Sequence, residues 1–203
     1  MRKLYGLALA VLGPALLGAC EYKPVPDPKL SSRDQDFISQ VPKAAMGAMY
    51  ERYQVEDPTG QAPGTVVVNT KEKMLYYVLP GGRAIRYGVA TGREAYGWTG
   101  TAVIKRVAEW PSWMPPKDML ERWPHLKPVV AMGGLPGGPE NPLGARALYL
   151  YDEKGHDTLY RIHGTNEPTE IGHDASSGCI RMRNIDVIDL YNRVQLGARV
   201  VVI

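Results

Sequence analysis

From Thr65 to Ile203 the chain runs in short β-rich segments, and this pattern restricts the possible folds more than any other feature. The segments TVVVN (65–69), KMLYYVL (73–79), AIRYGVA (84–90), TAVIKRVA (101–108), RALYLYD (146–152) and TLYRIH (158–163) are rich in Val, Ile, Tyr and Thr, residues that suit a pleated, partly buried surface. Turn chemistry separates them: Asn69-Thr70-Lys71-Glu72, Pro80-Gly81-Gly82 and Glu153-Lys154-Gly155. With 17 Pro and 22 Gly in 203 residues, long helices cannot dominate. One good helix is predicted, capped by Asn184 and running to about Val194 with Ile185, Ile188 and Leu190/Tyr191 on one face. Gly197 ends that connection and ARVVVI forms a last strand. The expectation is a mainly β domain over residues 64–203 with one C-terminal helix.

Upstream the pattern is weaker. Residues 34–53 read as short N-terminal helices interrupted at Pro42, with a partial apolar stripe of Met46, Met49, Tyr50 and Tyr53. EYKPVPDPKLSSR (21–33) reads as a tether and EDPTGQAPG (56–64) as a linker. Between Trp110 and Pro142 lie eight prolines and little periodicity; a long loop of this kind in a compact domain is usually a lid or binding feature. Trp110, Trp113, Tyr96 and Trp98 are the aromatic candidates for a groove beneath it. GGLPGG (133–138) reads as flexible loop.

The first residues have a different logic. Met1-Arg2-Lys3 is a basic start, Leu7 to Leu17 an apolar run, and Leu17-Gly18-Ala19 a set of small residues before Cys20. The run is short and broken by Gly13 and Pro14, a poor membrane span. Residues 1–19 therefore read as a secretory signal and 20–63 as the mature N-terminus, tether and helical arm. Loss of Arg2 and Lys3 takes the 24 Lys and Arg to 22 against 21 Asp and Glu, a net of +1. No basic stripe remains to neutralise phosphates, which argues against nucleic acid as a partner.

The chain has two cysteines, Cys20 and Cys179. If Cys20 is lipidated, an exported protein keeps a single thiol, which it must either bury or use. Sixteen residues before Cys179, His163 ends an apolar strand in IHGT (162–165). A nucleophilic cysteine needs a base or cation close by, and a strand end holds such a group rigidly. Gly178 lets the backbone approach a substrate closely and aim N–H groups at a developing oxyanion. Arg181, two residues on, shares a face with Cys179 if the segment is extended, and could lower the thiol pKa or bind a carboxylate. His173 is a rival base in a loop-like setting; His125 and His156 read as surface residues. A zinc site from His163, His173, Asp174 and Cys179 can be drawn, but no HExxH helix and no paired-cysteine spacing accompanies it.

His163-Gly164-Thr165, Ser176-Ser177-Gly178-Cys179-Ile180-Arg181-Met182 and Asn184 with Asp186 together resemble the signature of the L,D-transpeptidase catalytic domain family. PSWMPP (111–116), GG (133–134) and NPLGARALYL (141–150) are similar to upstream blocks of the same family. The resemblance covers about residues 64–203 and implies a β-sandwich-like fold. It implies that Cys179 attacks a stem tetrapeptide of peptidoglycan and expels D-Ala, with His163 as base, oriented by the carbonyl of Gly164. Backbone N–H groups at Ser177, Gly178 and Cys179 would form the oxyanion hole. Arg181 would hold the substrate or the His163 loop, and Thr165 and Ser176 would shape the site by hydrogen bonds. No cofactor and no metal is implied. Many members carry His immediately before Gly-Cys where this chain has Ser177, which removes one auxiliary acid or pocket donor.

The first twenty residues also resemble a bacterial lipoprotein signal, with Cys20 diacylated. That implies a lipid-anchored envelope protein facing the periplasm, with the outer membrane favoured over the inner. The acyl acceptor can be a stem diaminopimelate amine, an outer-membrane protein or lipoprotein, or water; the last would make the protein a carboxypeptidase or amidase. A non-catalytic peptidoglycan-binding lipoprotein is the reading from a different class, and the intact His163, Cys179 and Arg181 weigh against it.

Overall fold

A computed structural model describes residues 22–92, 98–176 and 178–203, without the side chains of Asp118 and Ser176. In chain order the strands are β1 (Lys23–Pro24), β2 (Tyr53–Glu56), β3 (Val66–Asn69), β4 (Met74–Leu79), β5 (Arg83–Gly88), β6 (Thr91–Gly92), β7 (Gly100–Glu109), β8 (Arg146–Tyr151), β9 (Asp157–His163), β10 (Asp174–Ser176), β11 (Ile180–Arg181) and β12 (Arg199–Val202). The α-helices are α1 (Ser32–Gln40), α2 (Lys117–Arg122), α3 (Lys127–Ala131) and α4 (Asn184–Arg193). The fold is mainly β, and each of the β-rich runs read from the sequence contains a strand.

Ten strands join in the order β1-β2-β5-β4-β3-β12-β7-β8-β9-β11, and β6 pairs with β10 separately. Most neighbours are antiparallel; β3–β12 and β9–β11 are parallel. On β3, Val66 and Val68 enter the large core while Val67 enters a smaller cluster with Val55, Met74, Tyr76, Val78 and Ala84. A strand covered on both faces carries an unbroken apolar run, here Val66-Val67-Val68.

The sheet curls over its own inner face. The large core unites residues of β5 (Ile85, Tyr87) with β9 (Ile162), β11 (Ile180) and α4 (Val187, Ile188, Leu190). At about 4.8 Å per strand, a flat sheet would hold β5 and β11 more than about 30 Å apart. Instead the chain leaving β5 reaches β11 directly: Ala90 N–H donates to the Arg181 carbonyl (2.9 Å) and Arg181 N–H to the Ala90 carbonyl (2.8 Å). Helix α4 spans the interior, with Tyr87 donating to Asp189 (2.7 Å) and Tyr77 to the Arg193 carbonyl (3.0 Å).

Segments read as tether and arm belong to this fold. β1 pairs with β2, and Val25, Leu30, Phe37 and Ile38 pack on the core, so residues 22–33 are not a loose spacer. Of the expected apolar stripe, Tyr50 and Tyr53 pack on the smaller core cluster, and Tyr50 fills the space at two glycines, its Cβ and backbone at Gly88 and its ring at Gly172. Met49 is exposed and Tyr53 is in β2. Two buried arginines fasten the arm. Arg52 bonds Asp186 (2.9 Å) on α4 and Asp27 (2.7 Å). Arg146 holds Asp34 through both oxygens (2.9 and 3.0 Å), and Asp34 also completes a capping box with Ser31 and accepts from the Trp110 indole (2.8 Å). Burial alone would raise the Asp34 pKa; the hydrogen bonds from Arg146, Ser31 and Trp110 and the Arg146 charge overcome it and hold the carboxyl well below the usual range.

The segment between Trp110 and Pro142, expected as a long irregular loop, contains α2 and α3. Its aromatics do not form one groove. Trp110 is buried edge-on against Phe37 (4.9 Å), Trp98 stacks on Tyr160 (5.6 Å), and Trp113 bridges to Leu135; Tyr96 lies outside the described residues. That bridge, two hydrogen bonds of 2.8 Å, also ties GGLPGG down.

Replacing Asp34 by Ala leaves Arg146 buried without its carboxylate and should cost about 3–5 kcal/mol in urea unfolding. Because the folded pKa lies below the unfolded one, this contribution is present above about pH 4 and is lost as pH falls. Asp34→Asn should therefore lose less stability than the wild type below that pH.

Candidate active site

The site lies where β9 ends and β11 begins. In the parallel register Ile180 faces Ile162 and Arg181 faces His163. Ile162 and Ile180 point into the core, so strand alternation turns Arg161, His163, Cys179 and Arg181 to the other face. One residue before the register begins, Cys179 falls opposite Arg161, and a hydrogen bond with the Arg161 backbone ties the thiol there. Cys179 is partly accessible. Its pKa is pushed up by burial, against the lowering effect of that hydrogen bond and of the Arg161 and Arg181 charges.

His163 is buried, and its Nδ1 lies 2.6 Å from the Gly164 carbonyl. A carbonyl can only accept, so Nδ1 carries the proton and Nε2 is left as the basic nitrogen of the neutral ring. Burial, then the Arg181 charge, push the His163 pKa down to about 3, although the Gly164 and Pro142 carbonyls favour the protonated ring. The imidazole is therefore neutral at physiological pH.

Asn184 builds the loop around this histidine. The sequence suggested it as the cap of α4, but the capping position is Arg183 and makes no side-chain cap. The buried Asn184 amide instead accepts from Ala145 N–H (2.9 Å) and Thr165 N–H (3.2 Å) and donates to the Thr165 carbonyl (2.9 Å). A side chain at Gly144 or Gly164 would collide with its Oδ1. Thr165 is buried, and its hydroxyl accepts from Glu167 N–H (2.9 Å). The amide stays satisfied and leaves the His163–Thr165 turn one geometry.

Gly178 has φ +129°, a conformation open to glycine alone. Facing it is Gly92, where an added Cβ would stand 2.7 Å from the Gly178 backbone. Gly92 was not legible as a site residue; its role comes from a contact 86 positions away in sequence. Arg161 also escaped notice, although two residues before His163 on one strand is the spacing that shares a face. Ser177 lies outside the described residues, as does the Ser176 side chain.

Arg181 is not open to solvent as expected of a carboxylate binder. Its guanidinium is paired with Glu170 and Glu167, both on the loop between β9 and β11. That loop is pinned again by Gly172 N–H to Val89 (3.0 Å) and Thr91 N–H to His173 (3.2 Å), and by Lys73 to Asp174 (2.6 Å). His173 is exposed. Among the described residues no three His, Cys, Asp or Glu side chains are grouped as metal ligands, so the zinc set drawn from the sequence is not assembled.

The YkuD model, which describes the L,D-transpeptidase catalytic domain, matches residues 63–202. The chain belongs to the L,D-transpeptidase catalytic domain family. The Escherichia coli (strain K12) protein ErfK/SrfK, named for that activity, is 37% identical over 144 residues, covering 68% of this chain and 43% of its own. YbiS of the same organism is 34% identical over 141 residues, 66% of this chain and 43% of its own. The chain thus spans under half the length of these curated relatives. A crystal structure from Brucella melitensis, titled as a carnitine operon oxidoreductase, is 44% identical with a TM-score of 0.51, covering 82% of this chain and 98% of that one. The Ldtfm–avibactam carbamoyl enzyme shares the fold at 17% identity and a TM-score of 0.50, over 70% of this chain and 49% of its own.

Two outcomes test the geometry of this L,D-transpeptidase domain. The unfolded chain binds a proton at His163 that the folded state refuses, so stability falls as pH drops from about 6.5 toward 3. His163→Gln should lose less stability than wild type when urea midpoints are compared at about pH 7 and pH 4. Gly92→Ala would set a Cβ 2.7 Å from the Gly178 backbone and should cost about 1–3 kcal/mol in urea unfolding, the usual penalty for overpacking a filled site.

Proposed function

We propose that this chain is a cysteine-dependent peptidoglycan L,D-transpeptidase. The observation that supports it best is the placement of Cys179 and a neutral, carbonyl-oriented His163 as diagonal neighbours on one sheet face. In this reading His163 Nε2 takes the thiol proton as Cys179 Sγ attacks the carbonyl that links the L-centre residue of a stem tetrapeptide to D-Ala. The N–H groups of Gly178 and Cys179, with that of Ser177, receive the oxyanion. His163 returns the proton to the departing amine, D-Ala leaves, and a thioester remains. An amine acceptor then attacks the thioester and regenerates the thiol. Gly164 orients the base, and Thr165 and Ser176 shape the turn and loop around it.

A stem diaminopimelate or the amine of an envelope protein is the proposed acceptor; with water instead, the same site hydrolyses stem peptides. Arg181 in this reading steadies the β9–β11 loop through Glu167 and Glu170, and meets a substrate carboxylate only if those glutamates yield it. The basic start, apolar run and Leu-Gly-Ala-Cys sequence support lipidation at Cys20, which would hold the enzyme at the periplasmic face of a membrane, the outer one by preference. Two acyl chains anchor stably without a spanning helix, and no helix among the described residues is long and apolar enough to cross a membrane.

Incubation of the purified chain with a disaccharide tetrapeptide should give a thioester adduct by intact mass, with D-Ala released. Cys179→Ala should abolish both, and His163→Ala should slow them by about 10²–10⁴-fold. Absence of adduct and of D-Ala release in the wild type would sink the reading; full activity in His163→Ala with loss in His173→Ala would transfer the base role. An added acceptor stem separates transfer from hydrolysis.

A further inference from the structure

Outer-face residues form a cross-strand row that ends at the thiol. Arg106 on β7 pairs with Tyr149 on β8, Tyr149 pairs with Arg161 on β9, and Cys179 lies opposite Arg161. The adjoining row, Val107, Leu148, Ile162 and Ile180, packs into the core, so the first row has no freedom to turn inward. Arg161 is tightly held. Its Nη1 and Nη2 bond the two oxygens of Asp157 (2.7 and 2.8 Å), and Nη1 also bonds the Tyr160 carbonyl (2.8 Å). Its guanidinium carbon lies 4.5 Å from the centre of the Tyr149 ring, which Arg106 also approaches, at 4.1 Å. The side chain is only 14% exposed, where charges are screened little.

We propose that Arg161 is a positioning residue for Cys179, supplying through its fixed guanidinium the positive field in which the thiolate forms. The inference rests on the reading of Cys179 as nucleophile. The groups facing the thiol are Arg161 and the neutral His163 on β9, Arg181 on β11, and, behind the two cations, Asp157, Glu167 and Glu170. Arg181 is offset by two carboxylates and Arg161 by one, so Arg161 is the less neutralised cation. When the proton leaves Sγ for His163 Nε2, the Arg161 charge stabilises the sulfur anion and opposes the imidazolium. Asp157 attenuates that field, giving the pair opposite effects on one thiol.

The test is the rate of iodoacetamide alkylation from about pH 5 to 10 in a Cys20→Ala chain, which has one thiol. Arg161→Gln should move the half-maximal rate up by about one pH unit, Arg161→Lys should recover most of that shift, and Asp157→Asn should move it down. Superimposable profiles for wild type and Arg161→Gln, or shifts of Arg161→Gln and Asp157→Asn in the same direction, would overturn the inference. If Arg161→Gln does not fold, Asp157→Asn and Arg161→Lys carry the sign of the effect. A wild type that forms no thioester with the tetrapeptide refutes the nucleophile reading instead, and the alkylation profiles still decide the role of Arg161.

Discussion

Two hydrogen bonds between Ala90 and Arg181 carry much of this architecture. β11 is only two residues long, and its parallel pairing with β9 gives it support on one side. Ala90 provides the other side, closing the curled sheet and clamping the residues after Cys179 between two backbones. The thiol is thus mounted on a short segment that cannot drift, next to a histidine at the end of β9 held by the carbonyl of the residue that follows it. Close approach is paid for in side chains: Gly92 and Gly178 meet backbone to backbone, and Gly144 and Gly164 make room for Asn184.

Buried polar groups extend that constraint into the rest of the molecule. Asn184 fixes the His163–Thr165 turn from the start of α4, and the same first turn presents Asp186 to Arg52. Arg52 in turn holds the N-terminal arm, while Arg146 and Asp34 hold α1 against β8 and Trp110. Removing either partner from such a pair strands a charge in a medium where it has no water. The arm, the helix and the His163–Thr165 turn are therefore one mechanical unit.

The electrostatics of the site follow from its position. Burial and two guanidinium groups suppress the imidazolium and favour a sulfur anion, while burial itself resists that anion. The resting pair is a neutral imidazole beside a thiol whose ionisation depends on its cationic surroundings. Three acidic side chains stand behind the two arginines, so the field at Cys179 is a difference of opposed terms.

Much of this was legible in the linear chain. Alternation of Val, Ile and Tyr between turn residues marks strands because side-chain period and turn chemistry are local properties. His163, Gly178, Cys179 and Arg181 stood out because strand ends, glycine freedom and single-thiol arithmetic are also local. Asn184 was misread as a cap because its partners, Ala145 and Thr165, are distant in sequence. Residues 22–33 looked like a spacer because proline-rich polar composition does not reveal that Arg52 and β2 will receive it. Gly92 was silent for the same reason, since a glycine announces a tight space only when its neighbour is known. The sequence by itself marked β3, β4, β5, β7, β8, β9 and β12, the nucleophile candidate and the base candidate, while the short strands β1, β2, β6, β10 and β11 exist only through their pairing. Tertiary structure decided which face they share, which cations surround them and which residues have no room to change, because those properties depend on register and packing between segments far apart in the chain.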